Sequence, residues 1–200
     1  ARLDRLSPRL REAIDRAAVI GRDFVPGAVV ELHSEASRPE VPDALRALVG
    51  KLLLQPGRSV FAGEETYRFQ HQLVRDVAYE SLPKALRADL HERFADWLER
   101  IVEGRDTEYQ EILGYHLEQA FSYRAELGLP ERGELGARAG GLLFGAGRRA
   151  ATRGDISAAI GLLTRAATVT PADDPSRGDL LTELAEALRE GGDFSRADRV

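Results

Sequence analysis

The sequence predicts a mainly all-α protein built as two modules, on three observations. Apolar residues recur at helical spacing almost from end to end. The period switches to strand-like alternation once, between about Val60 and Phe69. A Gly-Asp pair recurs in the second half, at Gly154-Asp155 and Gly192-Asp193.

The first helix follows Ser7, a natural N-cap, with Pro8 at the first helical position. Leu10, Ile14, Ala17 and Ile20 share one face, and Gly21 ends it. A short helix around Ala28–Leu32 and a loop come next. A second amphipathic helix is expected over Pro42–Leu54, with Leu45, Leu48 and Leu52 inward and Pro56-Gly57 closing it. Val60-Phe61, a Gly-Glu-Glu turn, and Tyr67 alternating with Arg68 and Phe69 read as a hairpin, expected to be the only β-structure. The helical period returns from His71. After Pro83, Leu86, Leu90, Phe94, Trp97 and Ile101 form a long stripe. Three helices, a two-stranded wing and a further helix follow the winged-helix plan. This module is expected over residues 1–103, with a helical repeat region over 104–200.

In that second region Leu143 falls on Leu181, Gly147 on Ala185, Ile156 on Phe194 and Ala159 on Ala197. A period of this size signals stacked helical hairpins. Counted from Gly140, the first copy resembles the tetratricopeptide repeat. Leu143, Gly147, Gly154, Ala159, Leu163 and Ala166 stand at its large, small, turn, small, large and small positions, and Pro171 closes it. Small residues permit close helix approach, so Gly147 and Ala159 are expected to face each other. Gly154 permits the turn.

Composition narrows the function. A net charge of −5 and a pI near 5.5 argue against a chain-wide attraction to nucleic acid. With no cysteine, disulfides and thiolate metal sites are excluded. The apolar runs are too short to span a membrane, and no signal peptide is visible, so a cytoplasmic location is expected. The chain has no methionine and reads as an internal piece of a longer protein.

No catalytic set emerges. His33, His71, His91 and His116 include no pair at metal-ligand spacing. His91 and His116 lie within amphipathic helices and are read as structural; His33 falls in a loop. Gly145-Ala146-Gly147 does not follow a strand, and Gly50-Lys51 lacks the flanking residues of a phosphate loop. Ser81 has no accompanying oxyanion loop. The segment is therefore expected not to be an enzyme by itself, with no cofactor and no metal of its own.

The stretch "FQHQLVRDVAYESLPKALRADLHERFADWLE" resembles the region that follows the nucleotide-binding core in STAND-class signalling ATPases. The resemblance extends from "LSPRLREAIDRAAVIGRDF" to "LLTRAATVTP". It implies a winged helix followed by tetratricopeptide repeats, with ATP or ADP bound by a core outside this segment. It also implies an output domain of the adenylate or guanylate cyclase kind, or of the LuxR DNA-binding kind. The implied partners are that ATPase core, within the same protein, and a protein or small effector on the repeats. "FQHQLVRDVA" is similar to the "MHD" wording of related immune switches, with Phe69-Gln70 and Gln72 as departures. The similarity makes His71 and Arg75 nucleotide-sensing candidates; the other reading is that His71 starts its helix. The alternative for the whole is a DNA-binding winged-helix regulator with a helical dimerisation domain. Its recognition helix would carry only Arg46 and Lys51 as basic residues, so nucleic acid is not the expected partner.

Overall fold

The computed structural model describes residues 3–57, 65–103, 106–129 and 133–200. It is mainly helical, with one small antiparallel sheet. The chain divides into two compact units, Ala1–Leu98 and Glu99–Val200.

Unit 1 begins with α1 (Pro8–Ile20), β1 (Asp23–Phe24) and α2 (Pro26–Leu32). A 3-10 turn, Arg38–Glu40, leads into α3 (Val41–Gly50). Then come β2 (Leu54–Pro56), β3 (Tyr67–Phe69), α4 (Gln72–Glu80) and α5 (Lys84–Ile101), whose last turn passes into unit 2. Proline opens α1 and α2, because a missing N–H costs nothing in a first turn. The core gathers Ile14, Ala17 and Ala18 of α1, Val29 of α2 and Leu45 and Leu48 of α3 against Phe24, Leu54 and Phe69 of the sheet.

The sheet corrects two expectations. Its order is β1-β3-β2, with Asp23 opposite Arg68 and Leu54 opposite Phe69. The hairpin is thus not the only β-structure, since Asp23–Phe24 adds a third strand. Tyr67–Phe69 is a strand as expected, and its observed partner is Leu54–Pro56. The expected partner, Val60-Phe61, lies outside the described residues.

The second correction concerns α3, which ends at Gly50 and does not reach Leu54. Leu52 N donates to Val49 O at 2.9 Å and Leu53 N to Leu48 O at 3.1 Å. This closure requires a left-handed residue, and Leu52 takes it with φ of 57°. Leu52 is therefore 63% exposed, off the apolar stripe, while Leu53 and Leu54 turn inward. The pattern Leu48-Leu52 imitates a helical face across a chain reversal.

Unit 2 is a run of helices: α6 (Asp106–Glu126), α7 (Gly133–Thr152), α8 (Ile156–Val169), α9 (Arg177–Glu190) and the short α10 (Phe194–Ala197). Each of α6, α7 and α8 packs on its successor. Two turns have the same design 38 residues apart. At the end of α7, Asp155 N donates to Ala150 O and Gly154 N to Ala151 O, with Gly154 at φ 75°. At the end of α9, Asp193 N donates to Leu188 O and Gly192 N to Arg189 O, with Gly192 at φ 81°. Each aspartate then caps the next helix: Asp155 Oδ1 accepts from Ala158 N at 3.0 Å, and Asp193 Oδ1 from Arg196 N at 3.1 Å.

Close approach sets the helix spacing. A Cβ on Gly136 would lie 2.4 Å from Val169 O, and one on Gly140 would lie 2.0 Å from Thr170 Oγ1. Gly141 has open space. Alanine favours helix over glycine by about 1 kcal/mol, but the clash outweighs it where the Val169 carbonyl, or the Thr170 hydroxyl bonded to Ala166 O, must move. Gly136→Ala and Gly140→Ala should each destabilise by on the order of 1–3 kcal/mol. Gly141→Ala should stabilise by about 0.5–1 kcal/mol. Urea melts of the three variants check the contrast; a uniform gain in stability would mean that the helices are not in this contact.

Candidate functional site

The resemblance directs attention to the junction of β3 and α4. His71 is the N-cap residue of α4, with extended backbone (φ −133°, ψ 134°), and its carbonyl accepts from Val74 N at 3.0 Å. Its side chain makes no capping hydrogen bond and is exposed. His71 therefore leads into the first turn of α4, whose leading N–H groups have no partner further back in the helix, a place where an anion is electrostatically favoured. Leu73 and Val77, one turn apart on the same helix, are 72% and 40% exposed.

Arg75 is placed differently. Its Nε donates to Ala18 O in the last turn of α1 at 2.8 Å, and Nη1 lies 3.3 Å from Asp76 Oδ1. Its guanidinium also lies 4.8 Å from the ring centre of Tyr79. His71 and Arg75 thus share a helix but not a surface role: one faces outward and the other ties α4 to α1.

A cluster that sequence reading did not single out lies behind Arg75. Arg87 stands 4.8 Å from the same Tyr79 ring, and Tyr79 Oη is 2.8 Å from His91 Nε2. His91 is fully buried. Burial, then the charges of Arg75 and Arg87, pull its pKa down to about 3. Sequence spacing places Tyr79 and His91 in separate helices with Pro83 between them, so their meeting depends on the α4–α5 turn.

The repeat residues occupy packing positions in unit 2. Leu143 meets the place where Gly114 of α6 lacks a side chain, with its Cγ 2.9 Å from a would-be Cβ. Gly147 lies against Leu163, whose Cγ and Cδ2 would be 2.8 Å from an added Cβ. The expected neighbour was Ala159; the approach is to the same helix, one turn further on. Ala159, Leu163 and Ala166 are buried in α8, Gly154 forms the turn, and Pro171 follows the C-cap Thr170. Between α6 and α7 lies a groove of about 370 Å³, with Glu108 and Glu111 on one wall and Arg149 and Arg153 on the other.

Among the described residues no group of three His, Asp or Glu is placed to hold a metal, and no helix is long and apolar enough to cross a membrane. Comparison with protein-family models, curated proteins and solved structures finds no match to the chain.

The buried neutral His91 sets a pH dependence. The folded protein keeps it unprotonated until about pH 3, while the unfolded chain protonates it below its ordinary value of 6.5. Its contribution is complete above about pH 6.5 and declines as pH falls from there towards 3. By pH 5 the loss should be about 2 kcal/mol. Urea unfolding at pH 7.5 and pH 5 should show this loss in the wild type and a clearly smaller one in His91→Leu. Equal losses in both proteins would remove His91 as the cause.

Proposed function

We propose that this chain is a non-catalytic regulatory segment of a STAND-type signalling ATPase. Unit 1 acts as a winged helix that docks on a nucleotide-binding core, and unit 2 as tetratricopeptide-like repeats that bind a protein or small effector. The observation that carries this reading is the state of His71: exposed, without a capping bond, at a helix N-terminus. His71 neither bonds its own first turn nor packs on the core, which leaves its ring available to an ADP phosphate on a docked core. The exposed pair Leu73 and Val77 beside it suits burial in such an interface. The groove between α6 and α7 offers the effector surface.

The DNA-binding alternative gains little from α3. Arg46 is held by Asp43 one turn earlier, which leaves Lys51 as the basic group of that helix end.

In the full-length protein, His71→Ala should weaken ADP binding roughly tenfold or more, the loss of one charged hydrogen bond to phosphate. Basal output should rise, because a switch is held off only by contacts that favour the off state. ADP affinity and melting temperature are measured on the same variant. A stable His71→Ala protein with unchanged ADP affinity would end the sensor role.

A further inference from the structure

The groove of about 370 Å³ between α6 and α7 has walls of opposite charge that do not neutralise each other. Glu108 and Glu111 stand one turn apart on α6, and Arg149 and Arg153 one turn apart on α7. No ion pair joins these four side chains, and none ties them elsewhere among the described residues. Other arginines of unit 2 behave differently: Arg165 is held by Glu118, and Arg148 lies 3.0 Å from Glu183. Helix dipoles account for the signs of the walls, since α6 begins and α7 ends here. They do not account for how Arg149 is held.

The Nη1 of Arg149 donates to Gln110 Oε1 and, at 3.1 Å, to Gly145 O. A Cβ on residue 145 would lie 2.5 Å from that same Gln110 oxygen, so the glycine makes room for the amide that receives the guanidinium. Arg149 is thereby fixed by neutral acceptors, and its charge is not cancelled. Among the described residues nothing takes its Nε and Nη2. Those two nitrogens form one edge of the guanidinium, the fork that grips both oxygens of a carboxylate.

The opposite wall narrows the ligand. A simple anion would suit the arginines but meet Glu108 and Glu111. A simple cation would suit the glutamates but meet Arg149 and Arg153. A neutral molecule would leave all four charges unmatched. A molecule with one carboxylate and one ammonium matches both walls at once. At about 30 Å³ per water, the groove equals roughly twelve waters, room for a small amino acid. Thr107 adds a hydroxyl and Ala146 an apolar floor.

We propose that this groove binds a small amino-acid zwitterion, its carboxylate on Arg149 and Arg153 and its ammonium on Glu108 and Glu111. The proposal rests on the reading of the groove as the effector surface and names the chemistry that surface takes.

The test uses the whole chain without nucleotide, so its failure strikes the ligand class alone and leaves the His71 reading to its own measurement. The probes are glycine and 4-aminobutyrate, which set the two charges at short and long separation. N-acetylglycine lacks the ammonium and glycinamide lacks the carboxylate; these are the controls. Binding is read by calorimetry and by the ¹⁵N signal of Arg149 Nε. At least one zwitterion should bind saturably, move that signal, and bind roughly fivefold or more tightly than either control. Glu108→Gln and Arg153→Gln, both at exposed positions, should each weaken its binding severalfold. No saturable binding of either zwitterion would overturn the proposal. So would a control that binds equally well, or binding unchanged in either variant.

Discussion

The C-terminal carbonyls of short helices must find donors, and in this protein arginines from elsewhere in the chain supply them. The seven-residue α2 shows the constraint most clearly. Its last carbonyls have no partner within the helix. Arg16 of α1 donates to Leu32 O at 2.8 Å, and Arg93 of α5 donates to Glu31 O at 2.7 Å. Arg38, from the turn before α3, also approaches Glu31 O, at 3.5 Å. Three segments of unit 1 are thereby brought to one helix end. The same device recurs: Arg75 bonds Ala18 O of α1, Arg87 bonds Glu80 O and Leu82 O at the end of α4, and Arg177 bonds Ala167 O and Thr170 O at the end of α8. A guanidinium suits this task because its several rigid N–H groups reach more than one carbonyl and it stays charged. Cations at these ends also complement the helix dipole.

This constraint sets the surroundings of both buried histidines of unit 1. His33 is the C-cap residue of α2, so the arginines that hold that terminus also act on its ring. Arg75 and Arg87 are drawn to the ends of α1 and α4, and in being so placed they flank Tyr79 and add to the burial that depresses the His91 pKa. Outward at the start of α4 and along it stand His71, Leu73 and Val77. The division between bonded arginines and an unbonded histidine separates scaffold from surface more sharply than composition could.

How much of this was legible in the sequence depended on range. The start of α1 was readable from Ser7-Pro8, the β3 strand from Tyr67–Phe69, and the two Gly-Asp turns from their repetition, since each rests on neighbouring residues. The strand Leu54–Pro56 was not. It continues an apolar run that follows α3, and only the left-handed turn at Leu52 changes which leucines face inward. A two-residue strand such as β1 has no periodicity to detect. In the repeat, composition located the contact between α7 and α8, but whether Gly147 meets Ala159 or Leu163 depends on the axial offset of the two helices, which spacing does not encode. The Tyr79–His91 pair and the groove between α6 and α7 are assembled across helices, and no local pattern announces them.

The fate of the arginines also bears on what the surface can do. Basic residues are numerous, yet in unit 1 Arg11, Arg16, Arg68 and Arg75 each engage a carboxylate or a carbonyl of their own unit. A cation so engaged has already exchanged part of its hydration for internal partners, and its field is largely cancelled nearby. Binding to a nucleic-acid backbone draws on unneutralised positive charge, because its free energy comes from released counterions. Those four arginines offer little such charge. Recognition of one phosphate makes a smaller demand, which a single imidazole beside a helix N-terminus can meet through directed hydrogen bonds. By that physical criterion, α4 suits the reading of a bound nucleotide better than α3 suits the reading of a duplex.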